Sequence, residues 1–446
     1  MASKSKRARS VKQRNLAKDF MYWAIAVFII KLIIIGNIQG GAWLGADGEN
    51  YLKGVDSLIE NGIFSSNHLL LYWPAGYPLA IYSLTFLGLS VVLKTVVIIQ
   101  SAIFSFATFY FVRNLSNSRF RKYSYYTLFL ILFNPTLTLS SLCIGYESIC
   151  ASGFLILFGI IIRQTIFDKK ISSKDLILTS SIVSLISFFQ PRFLLLGVSV
   201  LVLWLVRDLS IKKLPIFLIV VIILSSFSLT LLSFRNLKAN NQFVVSTNLG
   251  TTMTIGAGPL ATGGYQKSEK WLTCDLPVGS EATIDRAKVE CSLRWYLNNP
   301  GESVKIFINK SVYLWSPWYG PTSNGTMARN PWLKINPVKQ ISKNPDGLKL
   351  VTGSFGKITA YLWEALSILI LFFGFRRSLN YGPKEKMIAN FGMLIIILNW
   401  IITLFTIGDH RFRVPIMGIS LLFQAVGLFH LTKIGKPKVE SVNYRQ

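Results

Sequence analysis

The chain has 446 residues, 51% of them hydrophobic, with mean hydropathy +0.46, formal net charge +27 and a pI of about 10.0. Several apolar runs reach the roughly 20 residues that a bilayer crossing takes, which excludes a soluble globular protein. The cations gather in short stretches between those runs, so the charge reads as topology and attraction to lipid phosphates, not as a nucleic-acid surface.

The first residues carry Lys4, Lys6, Arg7, Arg9, Lys12, Arg14 and Lys18 and lead into an apolar run at 20–38. That run is too long for the apolar core of a signal peptide and reads as a retained span with a cytoplasmic N-terminus. Lys31 inside it either snorkels outward or faces the bundle interior. The next stretch, 40–79, holds the carboxylates Asp47 and Glu49 beside the span. From Glu49 onward, Tyr51, Leu52, Val55, Leu58 and Ile59 recur at helical spacing and Gly62 ends the pattern, which predicts an amphipathic helix lying on the membrane surface. Trp43, Tyr72, Trp73 and Tyr77 are placed at headgroup level. Asp47 also stands where a helix N-cap stands, a role compatible with chemistry.

Residues 78–89 are apolar but short, and read as a re-entrant or surface helix. Further spans are expected at 91–112, 123–142 with a break at Asn134-Pro135, 148–167, 176–189, 193–206, 214–234, 358–375, 387–407 and 416–431. Together with the first they make about ten, in three regions: a membrane module at 1–234, an outer loop at 235–356 with helical pattern near 284–297 and 303–314, and a membrane module at 357–446. With ten spans, all six basic clusters fall on one side, the inside. The platform, Glu147, Arg192, the large loop and the turn from Asp409 to Arg413 then share the outer face. Cys274 and Cys291 lie in the large loop; sequence alone leaves their pairing open.

The outer face offers the acids Asp47, Glu49, Glu147 and Asp409 and the cations Arg192, Arg235, Lys310, His410, Arg411 and Arg413. A carboxylate beside a phosphate-binding cationic patch suits one reaction: the acid takes a proton from an acceptor hydroxyl while the cations stabilise a phosphate leaving group. Simpler roles stand beside these. Glu147 could cap its span, Arg411 and Arg413 could anchor headgroups, and the aromatic string at 315–321 could be an interfacial belt instead of a sugar platform.

The order of these motifs resembles the polyprenyl-phosphate-sugar glycosyltransferases of the GT-C superfamily, in the branch of the bacterial relatives of protein O-mannosyltransferases and aminoarabinose transferases. The resemblance rests on Asp47-Gly-Glu-Asn-Tyr51, Gly62 and Trp73-Pro-Ala-Gly-Tyr-Pro78; on Asn134-Pro135 followed by Glu147; on Arg235-Asn236, Ser246-Thr-Asn-Leu-Gly250 and the glycine-rich stretch to Tyr265; and on Asn299-Pro300, Lys310, Trp315 and His410-Arg-Phe-Arg-Val-Pro415. Ala257-Gly258 and Pro191-Arg192 depart from the family's usual Asn-Asn and Arg-Pro. The resemblance implies an all-α polytopic fold of GT-C type and an inverting transfer of a sugar from a polyprenyl-phosphate carrier to a lipid, glycan or protein acceptor outside the plasma membrane. It implies Asp47 as general base and Glu147 as a second active-site acid, with Glu49 beside them. Tyr51, Arg192, Arg235, Lys310, His410, Arg411 and Arg413 become the substrate-binding set. No cofactor is required by the pattern; a divalent metal is optional, with Glu147 as its ligand. The rival readings are a polyprenyl-lipid or glycolipid transporter and a non-catalytic cell-envelope assembly protein.

Overall fold

The computed structural model describes residues 2–38, 40–44, 47–167, 171–208, 214–317 and 353–432. It is a helical bundle whose only sheet among the described residues is a two-stranded parallel pair. The helices are α1 Ala2–Gly36, α2 Gly48–Asn61, α3 His68–Tyr72, α4 Gly76–Tyr82, α5 Leu89–Leu115, α6 Ser124–Phe133, α7 Pro135–Leu139, α8 Glu147–Ile166, α9 Ser173–Phe189 and α10 Phe193–Asp208. They continue with α11 Leu214–Asn240, α12 Leu249–Gly256, α13 Glu281–Asn298, α14 Pro300–Trp315, α15 Ser354–Ser378, α16 Pro383–Phe405 and α17 Val414–Leu431. Strand β1 is Trp43–Leu44 and β2 is Cys143–Ile144.

Among the described residues, seven helical stretches are long and apolar enough to cross a bilayer: those of α1, α5, α8, α11, α15, α16 and α17. This is a multi-pass membrane protein by length and composition. Three expected crossings are shorter. Helices α9 and α10 have 17 and 16 residues, about 25 Å each against a hydrocarbon core of about 30 Å. The run at 123–142 is broken at Asn134, whose extended backbone leaves α6 while its side chain accepts from Leu137 N to cap α7. The break falls where Pro135 forbids the helix to continue.

Helices α8 and α17 sit at the centre, buried nearly all round, while α1, α11 and α15 turn most of their apolar surface outward. That is the inverse of a soluble bundle and fits a lipid-facing periphery.

The segment that follows α1 differs from its expected role. Helix α2 forms as the periodicity predicts and ends at Gly62, whose φ of 75° favours glycine. Its apolar face does not lie on lipid. Tyr51, Val55 and Leu58 are buried against protein, with Leu58 packed on Leu70, Ala75 and Leu232. Only Ile59 of the expected face is exposed. Tyr77, expected at headgroup level, is likewise buried, its ring edge-on to Tyr51. The segment is thus a wedge within the bundle. Gly76 permits the close approach, since a Cβ there would lie 1.9 Å from the Phe188 carbonyl oxygen.

The region between α11 and α15 carries α12, α13 and α14, the last two matching the helical patterns read at 284–297 and 303–314. A disulfide joins Cys274 to Cys291 on α13. Ser280 caps α13 by accepting from Thr283 N. Residues 318–321 of the aromatic string lie outside the described residues.

Candidate active site

Two acids are brought together by the small sheet. Trp43 pairs with Cys143 and Leu44 with Ile144, in parallel register. Asp47 then stands at the start of α2 and Glu147 at the start of α8. The β2 segment is fixed by a buried polar relay. Gln100 on α5 donates from Nε2 to the Cys143 carbonyl at 2.9 Å. Gln100 Oε1 accepts from the Tyr77 hydroxyl at 3.0 Å, and that hydroxyl accepts from Gly145 N at 2.9 Å. A buried relay with each group partnered holds its members to one geometry. Tyr77, read from sequence as an interfacial ring, is therefore a support for the acid-bearing turn.

Arg411 arrives from a 3-10 turn, 410–413, that precedes α17. Its Nη1 donates to Asp47 Oδ2 at 2.6 Å and its Nε lies 3.3 Å from Glu147 Oε1. The second contact is an ion pair without hydrogen-bond alignment, since Nε has no hydrogen-bond partner among the described residues. Side-chain exposure is 14% for Arg411 and 12% for each acid, so the charges interact with little screening by water. Asp409 completes the cluster: its Oδ1 accepts from Arg411 N at 2.8 Å, and burial pushes its carboxyl up against the pull of Arg411.

Arg192, in the turn between α9 and α10, is the second cation. Its guanidinium lies 4.1 Å from the Phe412 ring and 4.9 Å from that of Phe193. Its Nε and Nη2 are buried and lack hydrogen-bond partners among the described residues. Burial works against its charge, and so does Arg411, while Tyr146 and Glu147 favour it. A buried guanidinium with two idle donors is an incomplete arrangement that an anion would complete.

Asp47, Arg192 and Arg411 line a cavity of about 640 Å³ together with Ile402, Thr406, Ile407 and Phe412. The segment at 47–79 and the region between α11 and α13 add Asn50, Tyr72, Trp73, Asn248, Thr252, Tyr265 and Trp271, and α13 adds Asp285. The chamber is mostly apolar with a few convergent polar groups, the usual character of a small-molecule site.

Several residues expected in the site are elsewhere. Glu49 is 73% exposed and pairs with Lys53 at 3.2 Å, since two helical steps from Asp47 turn it toward solvent. Arg235 is spent on the first outer segment, donating from Nε to the Ile63 carbonyl at 3.0 Å and from Nη2 to that of Ser65. Lys310 is fully buried and donates to the Tyr296 hydroxyl at 2.6 Å and the Leu404 carbonyl at 2.7 Å, and burial holds its ammonium well below its usual pKa. It locks α14 onto the last turn of α16. His410 and Arg413 do the same for the 410–413 turn: His410 Nδ1 donates to the Ser316 carbonyl at 2.6 Å and Arg413 Nη1 to that of Trp315 at 3.1 Å. Tyr51 lies behind the site, edge-on to Trp73, and burial raises its hydroxyl pKa, so it remains protonated.

Asp47 occupies the N-cap position, but its side chain makes no capping hydrogen bond. The carboxylate is committed to Arg411 instead. Among the described residues, no group of three or more His, Cys, Asp or Glu side chains is arranged to hold a metal ion; Glu147 meets a guanidinium. Asp285, Trp271 and Asn248 were not singled out from sequence. Asp285 carried one usable signal, being an acid on a helix already legible from its periodicity. No family model and no curated protein matches the chain.

Proposed function

We propose that this protein is a membrane glycosyltransferase of GT-C type that moves a sugar from a polyprenyl-phosphate carrier to an acceptor hydroxyl on the extracytoplasmic face. In this reading α6–α7, α9 and α10 complete ten crossings with the seven long helices, and the basic clusters face the cytoplasm. The observation that carries it is the Arg411 guanidinium between Asp47 and Glu147, with Arg192, two of whose buried donors lack partners among the described residues, lining the same cavity.

Asp47 takes the acceptor proton as the acceptor oxygen attacks the anomeric carbon. The bond from that carbon to the phosphate oxygen breaks, and the electron pair leaves with the polyprenyl phosphate. Attack opposite to departure inverts the sugar. Arg192 and Arg411 meet the phosphate charge in a site shielded from water, where fixed cations are most effective. Before the donor binds, Arg411 neutralises Asp47; a phosphate competing for Arg411 frees the carboxylate for the acceptor.

The transporter reading draws on Lys31, buried within α1 with its ammonium 4.0 Å from the Phe104 ring. An ionisable group at that depth marks pathways in transporters. It stands alone there, whereas the cavity gathers several groups suited to bond making.

The test is binding of unsugared polyprenyl phosphate to the protein in lipid nanodiscs. Arg192→Ala should weaken binding at least about tenfold, and Arg192→Lys should restore little of it, because a point charge cannot reproduce the planar guanidinium on the Phe412 ring. Undiminished affinity in both variants would sink the proposal.

A further inference from the structure

The lining of the cavity falls into two groups by their contacts. It contains four charged side chains, and three of them belong to one cluster: Arg411 is hydrogen-bonded to Asp47 and acts on Arg192. The fourth, Asp285, acts with Tyr265 on the Tyr72 hydroxyl, and the Trp73 ring stands edge-on to that of Tyr72. Trp271 and the amide of Asn248 line the same cavity. A sugar phosphate occupies only part of about 640 Å³, which leaves room for a second molecule against this aromatic wall.

We infer that this aromatic wall is a carbohydrate subsite and that the acceptor is an uncharged glycan, because aromatic rings, a planar amide and one carboxyl line the cavity there and no cation beyond Arg192 and Arg411 does. The C–H faces of a pyranose ring carry partial positive charge and lie well on the negative face of an aromatic ring. Sugar hydroxyls donate to carboxylate and amide oxygens and accept from amide N–H groups. An anionic acceptor such as a lipid phosphate would require a basic side chain in the lining; the cation near Asp285, Lys288, is outside it and donates to Thr251 Oγ1. One way of holding an extended peptide is main-chain pairing to a sheet edge, and the sole described sheet is the two-residue pair before the two acids.

The subsite is built, not incidental. Asp285 accepts from the backbone N–H groups of Gly250, at 2.7 Å to Oδ1, and of Thr251, which fixes α13 to α12 and holds the carboxyl in place. Trp271 Nε1 donates to the Gln266 carbonyl at 2.9 Å, and Gln266 Nε2 donates to the carbonyls of Ile255 and Lys270. Leu272 N donates to the Thr254 carbonyl, and the disulfide from Cys274 ties this same loop to α13. The indole and the carboxyl therefore stand on one braced wall. Calling the glycan an acceptor rests on the transferase reading; glycan binding at this wall does not.

The experiment is a saturation-transfer NMR screen of a panel of uncharged oligosaccharides against the full-length protein in nanodiscs without donor. A serine- and threonine-containing peptide and an anionic-lipid headgroup serve as alternative probes. At least one oligosaccharide should bind, and Trp271→Ala should weaken it about tenfold, while Trp271→Phe retains most of the affinity. Asp285→Asn keeps the oxygen that meets Gly250 and should weaken the same ligand. Failure of every oligosaccharide to bind, or binding of the peptide with the same sensitivity to Trp271, overturns the inference. Polyprenyl-phosphate binding measured on the same samples separates the two ideas. Intact donor binding with no glycan binding refutes the subsite alone, and glycan binding without donor binding refutes the transferase.

Discussion

Replacing Asp47 by Asn keeps the size of the side chain and removes its negative charge. The Asp47–Arg411 contact is 2.6 Å long and largely shielded. Truncating one member of a buried pair costs about 3–5 kcal/mol when the other is left unpaired. Here Arg411 keeps Glu147 at 3.3 Å, and an Asn oxygen still accepts from Nη1. The expected loss is therefore about 2 kcal/mol, the scale of weakening one hydrogen bond to a charged group. Asp47→Ala loses the acceptor as well and should cost about 3 kcal/mol. Neither change removes a helix cap, because the carboxylate makes no capping bond. The effect on chemistry is larger: without a base, transfer should fall by roughly a hundredfold or more in both variants. Single-turnover release of polyprenyl phosphate from a labelled donor, in membranes that retain the native acceptor, measures the rate. Intrinsic-fluorescence unfolding measures the stability. If Asn transfers sugar at the wild-type rate while folded and donor-bound, proton abstraction by Asp47 is refuted. Recovery in Asn of what Ala loses would assign Asp47 to holding Arg411.

Asp409→Asn should flatten the acid side of the stability profile. Burial raises the Asp409 carboxyl above its ordinary 3.8, so the folded protein takes up this proton at higher pH than the unfolded chain, and stability falls as pH rises through the window above 3.8. Asn removes that slope while keeping the acceptor for Arg411 N, which pH-dependent denaturation would read. Lys310→Met should leave polyprenyl-phosphate affinity within about twofold. It should also remove a rise of stability with pH toward 10.5, because burial lowers the folded-state pKa of this lysine and the folded form sheds its proton first. A large loss of donor affinity would return Lys310 to the binding set. For topology, in a background lacking Cys143 and Cys150, a cysteine at Ser280 should react with an impermeant maleimide applied outside, and one at Ser172 should not. The reverse pattern would put the cavity on the cytoplasmic side.

The membrane-protein class was legible because lipid leaves the backbone few options, and a crossing announces itself as a long apolar run. The break at Asn134-Pro135 was legible for a similarly local reason. Asp47, Glu147, Arg192 and Arg411 were singled out because acids and cations are few at the span ends opposite the six basic clusters. Their meeting was not legible: Arg411 lies 364 positions from Asp47 and is brought to it by packing across the bundle. The errors share a cause. Arg235, Lys310, His410 and Arg413 have the residue types of phosphate ligands, yet each is consumed by carbonyls at the ends of loops and helices. The apolar stripe of α2 was read correctly as a stripe but assigned to lipid. Periodicity reports that a face is buried, not what buries it.

The pairing of β1 with β2 makes chain length, more than residue type, the quantity under constraint near the two acids. Each acid stands three residues beyond a paired neighbour, Leu44 for Asp47 and Ile144 for Glu147, and the pairing itself is made by main-chain groups that nearly any side chain can accompany. Gly48 adds a point of close approach, since a Cβ there would come within 2.9 Å of the Ile144 carbonyl oxygen. Substitutions of the apolar residues in these strands should be absorbed at modest cost. One residue inserted between Ile144 and Glu147 would turn the start of α8 by about 100° relative to the pair and carry the second carboxylate away from Arg411. A variant library that samples single-residue insertions and deletions through these two turns would map the active centre more sharply than alanine replacement across the same positions.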